Sequence, residues 1–122
     1  MDFLRNNEER AILDKVRQVT QKYIAPQIQS ADEGEYVASE NLAVLYRQGL
    51  MGLAVQEEYG GLGCNLRGNI LVETMAVEEI ACVCSMTSRW FHDHNETLGV
   101  ICSLGTPEQQ LRFSPATLDA CA

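Results

Sequence analysis

The segment that decides the fold of this chain is residues 49–63, Gly49-Leu50-Met51-Gly52-Leu53-Ala54-Val55-Gln56-Glu57-Glu58-Tyr59-Gly60-Gly61-Leu62-Gly63. Gly49 stands where a helix should end, because glycine readily takes the left-handed conformation that closes helices. The apolar residues 50–55 are too few for another helix, and they predict a buried extended or irregular link. Gly60, Gly61 and Gly63 predict a tight reversal that residues with a Cβ could follow only at a cost. We therefore expect helices on both sides of one irregular connection.

The first helix is predicted from a one-faced apolar stripe, formed by Ile12, Val16, Val19 and Tyr23. Asn6 is expected to cap this helix, with Glu9 in the capping-box position. Pro26 is expected to mark its end, because proline cannot continue the hydrogen-bond ladder. A short helical turn over residues 27–31 and a polar loop should follow.

The second helix is predicted over residues 40–48, with Ser39 as its N-cap. Its buried side is expected to consist of Leu42, Leu45 and Tyr46. The third helix should run over residues 66–82. Its predicted inner residues are Ile70, Met75 and Ile80, and its residues directed to solvent or a neighbouring subunit are Glu73, Glu78 and Glu79.

The last two helices are predicted over residues 86–103 and 107–113. Cys84-Ser85 should separate the first of them from the preceding helix. Thr106, with Pro107 and Gln109 after it, is a strong helix start, and Ser114-Pro115 is expected to end that helix. The sequence therefore predicts an all-α fold, an up-and-down bundle of about five to six helices.

Composition and charge exclude several classes of protein. With 122 residues and 46% hydrophobic residues, the chain can form one domain with a core. The net charge of -8 and the scattered basic residues argue against nucleic-acid binding, and the acidity is typical of a soluble protein. No apolar run approaches the roughly 18 residues needed for a membrane span. Residues 1–7 do not resemble a signal peptide.

The cysteines predict a reducing environment and no metal site. The chain has five cysteines, Cys64, Cys82, Cys84, Cys102 and Cys121. Their odd number and their spacing do not fit a disulfide framework, and a C-x-C pair is not a redox or zinc motif. Reduced thiols predict a cytoplasmic location, either a bacterial-type cytosol or a matrix-like compartment.

Two candidate sites are weighed against simpler interpretations. The glycines of residues 60–63 lack the lysine and the strand context of a nucleotide-binding loop, which favours a structural turn. His92 and His94 point to different faces of a helix, so they make a poor metal pair. The histidine region is either a solvated or capping cluster or a part of a substrate pocket.

Taken together, six short blocks resemble the N-terminal helical domain of acyl-CoA dehydrogenases. In order, they are Ile24-Ala25-Pro26, Leu50-Met51-Gly52-Leu53, Glu57-Glu58-Tyr59-Gly60-Gly61-Leu62-Gly63, Glu78-Glu79-Ile80-Ala81, His94-Asn95 before Leu98-Gly99, and Gly105-Thr106-Pro107-Glu108-Gln109-Gln110. Each block alone is weak, but their shared order is specific. Gln56 departs from the pattern, which usually has proline there, and the His94-Asn95 to Leu98-Gly99 interval is one residue longer than in common members.

The resemblance implies an oxidoreductase of fatty-acid metabolism that uses FAD. Members of the family have a helical N-terminal domain, a middle β-domain and a C-terminal helical domain, and they convert an acyl-CoA thioester to its 2,3-enoyl product. In them a glutamate of the C-terminal domain takes the α-proton and the flavin accepts the hydride. We expect residues 1–115 to form the N-terminal domain and residues 116–122 an atypical tail, with the other two domains missing.

The resemblance also implies what this chain lacks. No catalytic residue and no flavin-binding residue can be carried over, so the isolated chain is expected to be inactive and to retain no FAD. The intact enzyme would bind acyl-CoA and form a homo-oligomer, a dimer or a tetramer. From Ala116 onwards the sequence no longer resembles the family. The end of the chain at Ala122 could be natural, a cloning boundary or the result of a reading-frame error.

One wall of the acyl pocket can be carried over from the family. The matching positions are Met86, Ser88, Arg89, His92 and Leu98. Fatty-acyl members have mostly apolar residues there, so Arg89 and His92 predict a polar, branched or carboxylated acyl group, with Arg89 pairing with a carboxylate. In the rival interpretation Arg89 and His92 face solvent.

Two other functions stay open on the sequence. The chain could be a stand-alone, non-catalytic helical module that binds a partner chain, such as a separate polypeptide with the flavin domains. The similarity could also arise by chance in an unrelated helical bundle.

Overall fold

The computed structural model describes residues 6–28, 38–64 and 70–119. Five α-helices lie within these ranges, namely α1 (Asn7–Val19), α2 (Ala38–Arg47), α3 (Ile70–Ala81), α4 (Ser85–Leu104) and α5 (Pro107–Asp119). The described residues include no β-strand, which confirms the predicted all-α class. Helix α3 packs against both α1 and α4, and α4 also contacts α2 and α5.

The start of α1 agrees with the prediction. Asn6 caps the helix, and its Oδ1 accepts a hydrogen bond from the Glu9 backbone N–H at 2.9 Å. The helical path does not end at Pro26, however, because a π-helical turn (Thr20–Ile24) and a 3₁₀ turn (Ala25–Gln27) follow α1 without a break. Pro26 lies in the first turn of the 3₁₀ segment. Proline is tolerated there because a backbone N–H in the first turn has no carbonyl partner within the segment. The predicted turn over residues 27–31 falls mostly outside the described residues.

The predicted cap of α2 was wrong, whereas its predicted end is confirmed. The helix already includes Ala38, so Ser39 lies inside the first turn and is exposed. A tertiary contact holds this end of α2, because the buried Asn41 amide donates to Thr87 Oγ1 of α4 at 3.0 Å. Leu45 is buried, as predicted. Gly49 closes the helix with a φ of 75°, in the left-handed region.

Residues 50–55 form the buried irregular link that the sequence predicts, and a 3₁₀ turn (Glu57–Tyr59) follows it. Leu50, Leu53 and Val55 are fully or almost fully buried. The chain then folds back on this link, since the Cys64 backbone N–H donates to the Leu53 carbonyl at 2.8 Å. A Cβ on Gly61 would lie only 2.2 Å from the Val55 carbonyl oxygen, so the reversal requires glycine there.

The buried face of α3 differs from the predicted one. Ile70 is 48% exposed, although it was expected inside. Glu73 is only 6% exposed, although it was expected to face solvent. The helix is covered by α1 on one side and by α4 on the other, so its buried residues are Val72, Glu73, Ala76 and Ile80. Residues 65–69, where the helix was predicted to begin, lie outside the described residues.

The two remaining glutamates of α3 differ in their surroundings. Glu78 is exposed, as expected. Glu79 forms an ion pair with Arg17 of α1, and Arg17 Nε lies 3.1 Å from Glu79 Oε1. This pair joins the outer edges of the two helices.

The starts of α4 and α5 agree with the sequence, but the end of α5 does not. The Cys84 Sγ accepts a hydrogen bond from the Thr87 backbone N–H, so Cys84 caps α4. Thr106 and Gln109 form a capping box, with the Thr106 N–H donating to Gln109 Oε1 at 2.8 Å. Helix α5 continues through Pro115 to Asp119 instead of ending at Phe113. Pro115 therefore lies inside the helix, although an interior proline removes one backbone donor and its ring crowds the carbonyl four residues earlier.

Within the three described ranges, no helix has both the length and the hydrophobicity required to cross a membrane.

Candidate functional site

Helix α4 has a buried face and an exposed face, on which four apolar side chains lie among the polar Arg89, Asp93 and Thr97. The buried residues include Phe91, which is completely buried. The opposite side carries what we call the outer face of α4, made up of Met86, Trp90, Val100 and Leu104, which are 45–81% exposed. Their spacing places them on one stripe of the helix. Exposed apolar residues that fall on one stripe indicate a contact surface.

Helix α5 carries two exposed apolar residues, Leu111 and Phe113, which lie two positions apart and therefore point to different sides of the helix. A side chain links the two helices, because the Gln110 amide donates to the carbonyl oxygens of Cys102 and Gly105 at 3.1 and 3.0 Å. The exposed apolar residues of α5 therefore lie on a helix that is hydrogen-bonded to the end of α4.

A cavity of about 130 Å³, which we call the α3–α4 recess, lies beside the outer face of α4. It is lined by Ile70, Glu73, Thr74 and Val77 of α3 and by His92 of α4. Glu73 Oε1 lies 3.3 Å from His92 Nδ1, and the other ring nitrogen of His92 lies 3.7 Å from Glu96 Oε2. The recess thus combines mostly aliphatic walls with one carboxylate–imidazole pair.

Burial governs the ionisation of Glu73. Desolvation raises the pKa of this carboxyl above 4.5, and the hydrogen bond and positive charge of His92 act in the opposite direction. A carboxylate in this position is costly to keep charged without a partner. Glu73 is therefore a buried carboxyl group with a raised pKa that lies next to the predicted site residue His92.

Three of the predicted site residues reach the surface of α4. Met86 belongs to the outer face, and His92 lines the α3–α4 recess. The Arg89 guanidinium is exposed, and its Nε lies 2.8 Å from Asp93 Oδ1, one turn along the helix. This pairing raises the pKa of Arg89. Because Arg89 and His92 are three residues apart, they are neighbours on one flank of α4.

The other two predicted residues lie inside the domain. The Ser88 hydroxyl donates to the Val77 carbonyl oxygen at 2.8 Å and joins α4 to α3. Leu98 is buried in a small cluster with Ala54 and Val55, next to Tyr59. The structure therefore does not bring all five predicted residues together on one surface.

Sequence reasoning did not predict the surroundings of two polar residues of this region, Glu73 and His94. Glu73 interrupts the apolar run Ile70-Leu71-Val72, and this single charge was the signal that could have identified it. His94 is half-buried, and its Nε2 is buried with no hydrogen-bond partner in the described structure. Desolvation lowers the pKa of His94 below 6.5, against a raising contribution from a backbone hydrogen bond at Met51.

Groups that could ligate a metal ion are dispersed in the described part of the chain. The described residues include no group of three or more His, Cys, Asp or Glu residues that could hold a metal ion. Burial raises the pKa of the Cys64 thiol to about 11, so this cysteine stays protonated. The glycine turn is tightly packed, because Gly61 lies against Val55. The α3–α4 recess is smaller than the roughly 300 Å³ of typical ligand pockets.

Comparisons with known proteins agree on one family. A family model described as acyl-CoA dehydrogenase, N-terminal domain, matches residues 6–120. The short-chain specific acyl-CoA dehydrogenase of Clostridium acetobutylicum is 31% identical over 114 residues, which cover 93% of this chain and 29% of that protein. The 3-sulfinopropanoyl-CoA desulfinase of Cupriavidus necator is 29% identical over 113 residues, which cover 92% and 28% of the two chains.

A solved structure supports the fold. One chain from a study of the electron transferring flavoprotein of Acidaminococcus fermentans and flavin-based electron bifurcation matches with a TM-score of 0.80 and 24% identity. The match covers 99% of this chain and 31% of that chain. At this identity the likeness concerns the fold alone. This chain spans less than a third of the length of each of the proteins named here.

Proposed function

This chain belongs to the acyl-CoA dehydrogenase family, whose N-terminal domain it matches, and we propose that it forms one wall of the acyl-CoA cleft in an FAD-dependent dehydrogenase. The intact enzyme would remove one hydrogen from each of the α and β carbons of an acyl-CoA thioester. The observation that carries the proposal is the family match over residues 6–120. Because the chain spans only 29% of the Clostridium relative, the reaction is assigned to a longer enzyme.

The outer face of α4 supports the proposed role as a wall. Its four apolar side chains are exposed in this chain, and covering them would be favourable in free energy because apolar surface is removed from water. Covering them with the other parts of the enzyme would exclude water from the reacting groups. FAD would supply the hydride acceptor, and residues beyond the described ones would hold it together with the catalytic base.

The proposed acyl group is polar or carboxylated, and Arg89 is its proposed partner. Asp93 contacts Nε of Arg89, which holds the guanidinium while its outer nitrogens remain available for a charge-assisted pair. Met86 and His92 would line the same wall, and Ser88 and Leu98 would support it from the interior. One relative is named for 3-sulfinopropanoyl-CoA, whose sulfinate is anionic, which agrees with this choice.

A chimera tests the proposed function. Residues 6–120 would replace the matching segment of the Clostridium dehydrogenase, and bleaching of the flavin absorbance on addition of butyryl-CoA would be measured. We expect the chimera to reduce its flavin, and the isolated 122-residue chain to bind no FAD and show no activity. A chimera that folds and binds FAD but is not reduced by any acyl-CoA would contradict the proposal.

The same chimera tests the role of Arg89. Arg89→Leu should weaken kcat/KM for glutaryl-CoA about tenfold more than for butyryl-CoA, because only the glutaryl group carries a free carboxylate. Arg112→Leu is the matched control, since Arg112 is an exposed arginine on α5 that lies over Phe113. Equal losses for both substrates would exclude Arg89 as the carboxylate partner.

A second function is favoured by the exposed apolar side chains of α4 and α5. They would equally suit a non-catalytic helical module that binds a separate partner chain. A monodisperse 122-residue monomer that unfolds cooperatively, measured by light scattering and circular dichroism, would favour this module. Aggregation would favour a piece of a larger enzyme.

We further infer a cytoplasmic or matrix-like location and assembly of the intact enzyme as a homo-oligomer. Four free cysteines among the described residues support a reducing compartment. Mass photometry of the intact enzyme would test the dimer or tetramer, and a monomer would contradict it.

A further inference from the structure

Only one of the two carboxylate oxygens of Glu73 has a hydrogen-bond partner among the described residues. Its side chain is buried, and the one contact that the described residues make with its carboxylate is that of Oε1 with His92. A carboxylate has two oxygens and accepts about four hydrogen bonds. The second oxygen, Oε2, is thus available to a group that enters the α3–α4 recess, which Glu73 lines.

The size and walls of the recess restrict the ligand. The recess has a volume of about 130 Å³ and is open to solvent beside the exposed Ile70 and Thr74, so the end of a chain of about four carbons can enter it. Ile70 and Val77 provide aliphatic walls. Thr74 Oγ1 donates to the Ile70 carbonyl at 3.1 Å and keeps its capacity to accept a hydrogen bond.

The charge of the recess decides between possible head groups. A buried carboxylate is stabilised most by a cation that donates hydrogen bonds to it. A second carboxylate, Glu96, lies near the recess, with its Oε2 3.7 Å from His92 Nε2, so the local charge favours a cation over an anion. An ammonium group suits both the free oxygen of Glu73 and the Thr74 hydroxyl.

We propose that the α3–α4 recess binds the end of a short aliphatic chain that carries a primary ammonium group. The ammonium pairs with Glu73, and the methylene groups lie along Ile70 and Val77. His92 holds the carboxylate through its other oxygen. This site shares His92 with the proposed acyl wall but does not include Arg89, and its binding does not depend on dehydrogenase activity. The ligand is either a free alkylamine or a lysine side chain of another polypeptide segment.

Three probes of equal length test the proposal. n-Butylammonium, n-butanol and n-butyrate are titrated into the 122-residue chain at constant ionic strength, and the NMR shifts of the Thr74 and Val77 methyl groups are followed. We expect n-butylammonium to bind at least about tenfold more tightly than n-butanol, and n-butyrate not to bind. Equal binding of the ammonium and the alcohol would overturn the proposal.

Matched variants locate the binding. Glu73→Gln should remove the preference for n-butylammonium, whereas Glu78→Gln, the same change at an exposed position of α3, should leave it intact. If Glu73→Gln does not fold, Val77→Leu provides an independent test, because it fills the recess and should weaken n-butylammonium and n-butanol alike. Unchanged n-butylammonium binding in Glu73→Gln or Val77→Leu would contradict the proposed site.

A further probe identifies the source of the ammonium. Nα-acetyl-lysine N-methylamide carries the same four-carbon ammonium chain on a peptide-like body. If this lysine derivative binds as tightly as n-butylammonium, the site is assigned to a lysine side chain. If the lysine derivative does not bind, the site is assigned to a free amine.

Discussion

The two faces of helix α4 differ in how far their side chains are buried. On the buried face, Phe91 is completely enclosed, and the Asn95 amide bridges the helix and the irregular link. On the outer face, Trp90, the neighbour of Phe91, is 47% exposed. The difference shows that one helix can stabilise the domain with one side and offer the other side for contacts. Stability and binding should therefore separate by face.

The largest expected effect is at Phe91. Phe91→Ala should lower the free energy of unfolding by about 3–5 kcal/mol, because it removes a fully buried ring and leaves a cavity. Trp90→Ala is the control on the outer face, and it should change the free energy of unfolding by less than about 1 kcal/mol. Urea denaturation followed by circular dichroism measures both. Similar losses for the two variants would refute the division into faces.

The next largest effect is expected at Asn95. Its Oδ1 accepts from the Ala54 backbone N–H at 3.2 Å, and its Nδ2 donates to the Phe91 carbonyl at 3.1 Å. Asn95→Ala should cost about 2 kcal/mol of unfolding free energy, because a buried bridge between α4 and the irregular link is lost. The same denaturation experiment applies, with Thr97→Ala as the control at an exposed position of α4. A loss at Asn95 no greater than that of the control would show that the bridge contributes nothing.

His94 lies on the flank of α4 between the two faces, and it should make the free energy of unfolding depend on pH. Burial lowers the pKa of His94 below 6.5, so the unfolded chain binds the proton more readily than the folded chain. The contribution of His94 to stability is therefore complete above pH 6.5 and is lost as the pH falls through the lowered pKa. The stability of the natural chain should fall more between about pH 7.5 and about pH 5 than that of His94→Gln. Parallel pH profiles would contradict this role.

The smallest effect, and one of opposite sign, is expected at Glu73. Its raised pKa means that the folded chain binds the proton more readily, so this stabilising contribution is complete below pH 4.5 and is lost as the pH rises through the raised pKa. At neutral pH, Glu73→Gln should raise the free energy of unfolding by roughly 1 kcal/mol or less, because it removes a buried charge that His92 only partly compensates. A clear loss of stability at neutral pH would show that the Glu73–His92 pair stabilises the domain. The expected gain would mean that Glu73 costs stability in the folded chain, as residues kept for binding often do.

The features that could be read from the sequence are local ones. Asn6 caps α1, Gly49 closes α2, and Thr106 with Gln109 starts α5, because each acts on backbone groups within a few residues. The glycine turn also follows from local backbone limits. Ser39 has the same capping chemistry, yet α2 includes it, since a buried contact of Asn41 with α4 holds that end of the helix.

The candidate site was harder to predict because it depends on neighbouring helices. A one-faced pattern placed Ile70 inside and Glu73 outside, but α1 and α4 cover α3 on two sides and reverse both positions. Arg89 and His92 were identified as polar residues of α4. Their partners, Asp93 and Glu73, became known only with the structure.

By itself, the sequence determined the all-α class, the family, and most of the helix starts and turns, because periodicity, capping and glycine conformation are properties of adjacent residues. The tertiary structure alone decided which side of α3 is buried, which of the predicted site residues reach the surface, and that Glu73 lies in a recess with His92. The physical reason is that burial and pKa depend on groups brought together from distant parts of the chain. Glu73 and His92 are 19 residues apart in sequence and 3.3 Å apart in space.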